Sequence, residues 1–392
     1  MPHHALWVRP MNCSRSMLAC CLSLFFLGFS GCNSSPGPTP GVTVTTATDL
    51  GAIQTNSDIL VRDGAYSATF EGHSVWLYGD TFLANPDASG RTLLSDSWSF
   101  TTALTVQDNG ISGWDERRDS TGAPTMILEE TPAEQAYDKA HAGNPCQQQP
   151  CGARWALWPA AIVVDPASNQ ALVFYMVVNA RPGSFNFQGY GSSVALWQEF
   201  QGLPRRPTLN SPLDPNHPDL MFGQNDPSFG SAAFISNGTL YVYGCHTPSN
   251  IGDQGCRVAK VPPATVQDRT TWMFYARDGN WSSLVSDAVS VIPDGNIMSV
   301  AWNDYLQQYI AIYSPPFSQN VVLRTAHNPE GPWSASLTAF VAVRPTSGNV
   351  YDAHAHPEYD ANGGQTTFVT YSRSTGDFSS ELRLVSLQLH RR

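Results

Sequence analysis

Short stretches of alternating apolar and aromatic residues recur through the body of the chain, and a turn precedes each one. They cover residues 75–79, 172–176, 240–244, 309–313 and 367–371, and every preceding turn contains Gly, Asn or Asp. Apolar residues with a period of two, bounded by such turns, are typical of β-strands joined as hairpins. The pattern therefore predicts five units, each with an entry strand, a turn and an aromatic-rich second strand.

The spacing of these units indicates a repeated architecture. The stretches start at residues 75, 172, 240, 309 and 367, so successive starts are 97, 68, 69 and 58 residues apart. Strands of a sandwich follow one another every 8–12 residues or so without a longer period. A spacing of about 65 residues accommodates a four-stranded sheet with its loops. The predicted fold class is all-β, a five-bladed β-propeller, in which radial repetition leaves few exposed sheet edges.

The first spacing exceeds the others by about 30 residues. This excess predicts an inserted loop at about 128–157 on one face of the propeller. The only helical pattern of useful length is a short stretch near 132–142 inside that loop.

The N-terminus has the pattern of an export signal. Arg9 and Arg15 precede an apolar run over 17–29, which is too short to span a bilayer, and a Gly–Cys junction follows at Cys32. This resembles a bacterial lipoprotein signal and implies lipidation of Cys32. The alternative is an ordinary cleaved signal with Cys32 as a bystander.

This interpretation sets the expected organisation of the chain. We expect a lipoprotein signal peptide at 1–32, a flexible Pro- and Gly-rich tether at 33–45 and a single domain at 46–392. The protein would then be exported and anchored by its lipid in the cell envelope, at the outer membrane or cell surface. The protein would contact the membrane only through this lipid.

Cysteine usage agrees with export. The body contains two local pairs, Cys146 with Cys151 and Cys245 with Cys256, each among turn residues. Disulfides are the economical pairing in an oxidising compartment. The alternative, a metal site, fits no zinc spacing. We expect two disulfides, no metal and no cofactor.

The net charge of the chain excludes some classes of function. The 392 residues carry a formal net charge of −11, and only 14% of them are charged. A basic surface for nucleic acid is therefore missing, and nucleic acid is excluded as a partner. We expect a monomer.

Polar and aromatic residues occur where the entry strands of a plain core should be apolar. They are Asp63, Trp155 and Trp158, Asp226, Asn296 and Ser299, and finally His354, His356 and Glu358. Polar groups that converge on one axis are costly unless they are paired or useful. Pairing alone explains any single one of these residues as well as function does, so the convergence is the evidence for a site.

Two acids form the sharpest local motif. Asp80 ends an alternating strand, and Asp63 lies on the partner entry strand across the turn at 71–72. Hairpin pairing brings both carboxylates to the same end of one sheet. Two neighbouring carboxylates with aromatic platforms are what glycoside hydrolysis requires, because one acid must be protonated and the other ionised. The alternative for Asp80 and Thr81 is a turn cap.

Residues 62–64 and 75–82 resemble the opening blade of the bacterial domain-of-unknown-function family 4185, and 258–262, 281–282 and 351–358 extend the resemblance over roughly 50–390. Some members of that family are endo-acting D-arabinan hydrolases of glycoside hydrolase family 183 with a five-bladed propeller. The resemblance implies catalysis by Asp63 and Asp80. The sequence departs from the family pattern at Ala65 and Tyr66, and the insertion at 128–157 has no recognised counterpart.

The remaining candidates have two interpretations each. Alternation puts His354, His356 and Glu358 on one strand face, where they suit hydrogen bonds to sugar hydroxyls or to the two acids better than a metal. Trp155 and Trp158 suit a stacking platform or a buried core pair. Asp226 completes the predicted substrate-binding set. The predicted function is hydrolysis of a furanose-containing, arabinan-like polysaccharide at the cell surface by paired carboxylates in the propeller funnel. The alternative is a non-catalytic propeller that binds carbohydrate or protein.

Overall fold

In the computed structural model, strands that follow one another along the chain pair as antiparallel sheets. The structure describes residues 37–53, 56–107, 110–183, 186–245, 255–295, 297–344, 349–376 and 379–392. The predicted signal peptide, Cys32, the start of the tether and Asn296 lie outside these residues. Within them, no helix is long and apolar enough to cross a membrane.

The N-terminal half contains the strands β1 Val42–Ala52, β2 Ile59–Arg62, β3 Tyr66–Phe70, β4 His73–Tyr78, β5 Thr81–Leu83, β6 Leu93–Leu94, β7 Ser97–Thr101, β8 Arg154–Asp165, β9 Gln170–Ala180, β10 Phe187–Trp197 and β11 Phe222–Gly223. One α-helix, α1, covers Pro132–His141.

The C-terminal half contains β12 Phe229–Ser236, β13 Thr239–Cys245, β14 Cys256–Val261, β15 Met273–Tyr275, β16 Trp281–Ser282, β17 Met298–Asn303, β18 Gln308–Tyr313, β19 Asn320–Ala326, β20 Leu337–Val341, β21 Val350–Ala355, β22 Thr366–Gly376 and β23 Ser379–Arg391. Short 3₁₀ helices cover Pro263–Thr265, Arg269–Thr271, Val285–Asp287, Pro357–Tyr359 and Asn362–Gly364.

The predicted aromatic-rich stretches fall in β4, β9, β13, β18 and β22, the second strands of their units. These strands are buried along most of their length, for example from Ala171 to Tyr175 in β9. A strand that is covered on both faces reads as a continuous apolar run, which explains why these strands stand out in the sequence.

The described strands form six sheets. Sheets β8–β11, β12–β16 and β17–β20 are meanders, and β21–β23 form a fourth meander that β1 completes by pairing with β23. The first repeat differs from the predicted single sheet, because it is split into β2–β5–β6 and β3–β4–β7. The chain passes three times from one of these sheets to the other, and the first two crossings occur at 63–65 and 79–80.

The first strands of the units surround a cavity. Strand β3 packs beside β8, β8 beside β12, β12 beside β17, and β17 beside β21. The ring of Tyr66 on β3 lies 4.2 Å from that of His354 on β21, which brings the last unit against the first. These five strands line a cavity of about 950 Å³.

Apolar side chains fill the spaces between successive units. Phe70, Trp98 and Trp197 pack between the first and second units, and Trp76 packs with Leu384 between the last and the first. Burial of such large side chains is the main stabilising contribution, of roughly 1.5–3 kcal/mol each. The core is therefore distributed around the cavity.

The N-terminal boundary differs from the prediction. Residues 42–45 belong to β1, although the flexible tether was expected to reach residue 45. Before β1, the carbonyl of Pro38 accepts a hydrogen bond from the Ala335 N–H at 2.8 Å. The residues from 37 onwards belong to the same compact unit as the sheets.

The predicted insertion at about 128–157 overlaps the first residues of β8. Residues 154–157 already belong to β8, because their backbone pairs with β9. Helix α1 confirms the short helix expected near 132–142, and it begins with a capping box between Thr131 and Glu134. Both expected disulfides are present, Cys146–Cys151 within the insertion and Cys245–Cys256 across β13 and β14.

A buried ion cluster joins this insertion to the second unit. The Arg206 guanidinium donates to both carboxylate oxygens of Glu134, at 2.7 and 2.8 Å, and to Asp219 at 2.9 Å. The side chains of Arg206 and Glu134 are only 5% and 1% exposed. Burial raises the pKa of Glu134, but hydrogen bonds from Arg206 and His217 outweigh it and lower the pKa to about 2. The cluster fixes α1 to the sheets.

We expect Arg206→Met to lower the free energy of unfolding by about 3–5 kcal/mol, because it leaves two carboxylates buried without their cation. Denaturant unfolding monitored by tryptophan fluorescence measures this. The matched control is Arg91→Met, which removes the ion pair between Asp87 and Arg91, a 41% exposed side chain. We expect it to lower the free energy of unfolding by less than about 1 kcal/mol. Equal effects of the two variants would contradict the structural role of the cluster.

Candidate active site

Asp63 and Asp80 lie side by side where the first hairpin is interrupted. The Asp63 N–H donates to the Asp80 carbonyl at 3.1 Å, and the Gly79 N–H donates to the Asp63 carbonyl at 2.7 Å. These bonds continue the hairpin across the gap between its two sheets. The hairpin pairing expected from the sequence is therefore present at Asp63 and Asp80, although neither residue belongs to a regular strand.

Asp80 is held by the second unit. Its Oδ1 accepts hydrogen bonds from Arg154 Nη2 at 2.8 Å and from the Trp158 indole N–H at 2.9 Å. Both donors project from β8, which packs beside β3. A charged donor and a rigid aromatic donor together fix the position of this carboxylate.

Asp63 has a different environment. Its Oδ1 accepts a hydrogen bond from the Tyr351 hydroxyl at 2.7 Å. Burial raises the pKa of Asp63 to about 6, the Tyr351 hydrogen bond opposes this shift, and the charge of Asp80 adds to it. Neighbouring carboxyl groups with different surroundings are what a proton donor and an ionised partner require.

A third carboxyl, Asp352, belongs to the same cluster, and the sequence analysis did not single it out. Its Oδ2 lies 3.4 Å from the position that a Cβ would take on Gly64, the neighbour of Asp63. Burial and the charge of Asp63 raise the pKa of Asp352 to about 8. Its position could have revealed it, because Asp352 occurs at the entry of the fifth repeat as Asp63 does in the first.

Aromatic rings flank the acids. Phe187, at the start of β10, is 49% exposed. Its ring contacts Trp158 edge to face, with centroids 5.0 Å apart. Exposed aromatic rings beside acids suit the apolar face of a sugar. Trp158 was predicted from the sequence, but Phe187 was not. The local signal for Phe187 was an aromatic residue in a turn-rich segment.

Two predicted binding residues point elsewhere. The Trp155 ring packs against Tyr137, Tyr190 and His217. Its backbone N–H donates to Asp138. Asp226 accepts hydrogen bonds from Arg269 at 3.2 Å and from the Gly223 N–H at 3.0 Å. Neither residue contacts the acids, and both have structural partners.

His356 and Glu358 lie between the last unit and the first. His356 stacks on Trp76 at 4.1 Å and contacts the hydroxyls of Ser67 and Thr370. Glu358 accepts hydrogen bonds from Ser67 and Ser74. These contacts satisfy both side chains within the protein, away from Asp63 and Asp80.

His354 and Ser299 line the cavity. His354 Nδ1 is 3.1 Å from the carbonyl of Asp352, and the Ser299 hydroxyl accepts from the Ala355 N–H at 2.8 Å. Asp63 and Asp80 are not among the residues that line the cavity. Across the part of the chain that the structure describes, no three His, Cys, Asp or Glu side chains are grouped as metal ligands.

The comparison with protein families identifies the chain. Residues 34–376 match the model of a domain of unknown function, DUF4185. The chain therefore belongs to the DUF4185 family, as the resemblance in its sequence indicated. No curated protein matches it.

Solved structures share the fold at low sequence identity. A candidate hydrolase from Bacteroides ovatus is 18% identical with a TM-score of 0.54, over 84% of this chain and 87% of that chain. Zg3597, a family 117 glycoside hydrolase from Zobellia galactanivorans, is 10% identical with a TM-score of 0.50, over 89% and 91%. A GH43_1 enzyme from Xanthomonas citri is 13% identical with a TM-score of 0.49, over 86% and 90%. The Zobellia enzyme shows that a glycoside hydrolase can have this fold.

We expect Tyr351→Phe to raise the pKa of Asp63 above about 6, because it removes the one hydrogen bond that favours the ionised carboxylate. Carbon NMR titration of labelled aspartate carboxyls measures this directly. Tyr309→Phe, which removes a hydroxyl bonded to Ser236 instead, is the control. A lower or unchanged pKa in the Tyr351 variant would show that the hydroxyl does not act on Asp63.

Proposed function

We propose that this protein is a glycoside hydrolase that acts on a furanose-containing, arabinan-like polysaccharide with Asp63 and Asp80 as working carboxylates. The observation that carries the proposal is the pair itself. The backbones of Asp63 and Asp80 are hydrogen-bonded where one hairpin is interrupted, and the charge of Asp80 acts on the carboxyl of Asp63. One is bound to Arg154 and Trp158, and the other is buried with its pKa raised to about 6.

The proposed roles follow from these environments. Asp63, whose pKa is raised towards neutral pH, gives its proton to the glycosidic oxygen as the bond to the anomeric carbon breaks, and the bonding pair goes to that oxygen. Asp80 acts on the anomeric carbon. In an inverting reaction it takes a proton from the attacking water, and in a retaining reaction it forms the ester that water then hydrolyses.

In this proposal, the two sheets of the first repeat are the inner and outer parts of one blade. Three segments of chain pass directly between them, and five apolar clusters separate successive units. We therefore propose that the six sheets form five blades around the cavity. The Zobellia neighbour, a family 117 glycoside hydrolase, has the same fold.

The arabinan-like substrate rests on the family resemblance and on the aromatic pair of Trp158 and Phe187 beside Asp80. The cell-envelope location rests on the N-terminal pattern that ends at Cys32, and two disulfides agree with an oxidising compartment. A carbohydrate-binding propeller without hydrolysis is the alternative outcome of the experiments below.

Asp63→Asn and Asp80→Asn should each lower hydrolysis by about 10²–10⁴-fold, because each removes one of the two proton-handling groups. The assay incubates the folded domain with a panel of arabinans and related cell-wall glycans and measures product size. The control is Asp278→Asn, which changes a fully exposed turn.

Wild-type-like hydrolysis by either variant, with its melting temperature unchanged, would remove that acid from the mechanism. Glycan binding by the wild type without any product would favour the non-catalytic alternative.

Two substitutions at the aromatic pair should separate catalysis from binding. Trp158→Phe keeps a ring but removes the N–H bond to Asp80, so we expect kcat to fall by about 10- to 100-fold with little change in KM. Phe187→Ala removes only an exposed ring, so we expect KM to rise by about 2- to 10-fold. Steady-state kinetics on one arabinan measures both, and the reverse division would contradict the assigned roles.

A further inference from the structure

Asp352 lies in an irregular part of β21. Tyr351 pairs with Ser372 and His354 with Thr370, so two residues of β21 oppose one residue of β22. Asp352 has a φ of 52°, in the left-handed region that non-glycine residues seldom adopt. Such a bulge redirects side chains and is often found beside active sites.

The bulge brings two successive side chains to the same acid. In a regular strand, Tyr351 and Asp352 would point to opposite faces. Here the Tyr351 hydroxyl donates to Asp63. The Asp352 carboxyl lies over Gly64, at 3.4 Å from the Cβ position there. Gly64 itself has a φ of 70°, which suits glycine, and the missing side chain leaves room for the carboxyl.

Within the described segments, no donor compensates the Asp352 carboxyl. Among the described residues, Asp80 receives two side-chain donors and Asp63 receives one, whereas no hydrogen bond reaches the side chain of Asp352. Arg154 pairs with Asp80. The titratable groups that face Asp352 are Asp63 and the phenols of Tyr66 and Tyr351.

We propose that Asp352 is a positioning residue that acts through Asp63: the two carboxyls share one proton at neutral pH, and this keeps Asp63 competent as the proton donor. Two buried carboxyl groups at one place do not both ionise readily, since each charge disfavours the other. The catalytic consequence rests on the proposed hydrolase function, whereas the sharing of the proton does not depend on that function.

The titration of the pair follows from this arrangement. The apparent pKa values of about 6 and about 8 belong to the pair rather than to single residues. Between these values the pair holds one proton. Without Asp352 only one carboxyl could hold a proton there, so the second carboxyl extends to higher pH the range in which the pair is protonated.

The test uses Asp352→Asn, which removes a charge and keeps the shape. In carbon NMR titrations of labelled aspartate carboxyls, we expect the step near pH 8 to disappear and Asp63 to titrate near pH 6. If the hydrolase function holds, the alkaline limb of kcat/KM shifts to lower pH. The matched control is Asp360→Asn, a half-buried acid whose pKa is raised to about 7, which should leave the titration of Asp63 unchanged.

Stability provides a second measurement. The pKa of Asp352 in the folded protein, about 8, lies above the ordinary value of 3.8, so the folded state binds the extra proton. Its stabilising effect is present at low pH and is lost as pH rises through about 8. The wild type should therefore lose stability relative to Asp352→Asn between about pH 4 and pH 8. If this variant fails to fold, Asp63→Asn provides the reciprocal test, because Asp352 should then titrate below about pH 8.

The outcomes separate this inference from the proposed function. Coupled titration without hydrolysis of any glycan would overturn the function and leave the shared proton standing. Hydrolysis by the wild type, with the titration of Asp63 unaffected by Asp352→Asn, would overturn the inference and leave Asp63 and Asp80 in place.

Discussion

The candidate site depends on pairing between the two ends of the chain. Strand β1 pairs with β23 from Val42 opposite Arg391 to Ala52 opposite Arg383. This pairing completes the last sheet, which lies against the first unit through Trp76 and Leu384. Tyr351 and Asp352 come from that last sheet, whereas Asp63 and Asp80 come from the first. Their proximity therefore requires the closed ring, which also leaves few unpaired sheet edges.

The sequence predicted what depends on local pairing. The second strands were visible because both of their faces are buried, so they read as continuous apolar runs such as 172–176 in β9. Asp63 and Asp80 were paired correctly because a hairpin with a short turn fixes its own register. The short helix near 132–142 was visible from its helical period, and the structure adds that a capping box of Thr131 and Glu134 begins it.

What the sequence did not predict depends on distant contacts or on a local irregularity. The role of β1 was missed because its partner lies more than 300 residues later in the chain. Asp352 was missed because regular alternation would direct it away from Tyr351, and only the bulge brings both to Asp63. The prediction that His356 and Glu358 share a strand face with His354 was wrong, because β21 ends at Ala355 and Glu358 lies in the 3₁₀ helix Pro357–Tyr359. Their partners Ser67 and Ser74 belong to another unit and could not be seen locally.

The pairing of β1 also has a mechanical consequence. Backbone hydrogen bonds between antiparallel strands run perpendicular to the strands. A pull on the chain before Val42 that is directed along β1, with the body held at the other end of the strand, loads the bonds of this ladder together, in shear. Tension in that direction would therefore be shared along the whole seam between β1 and β23.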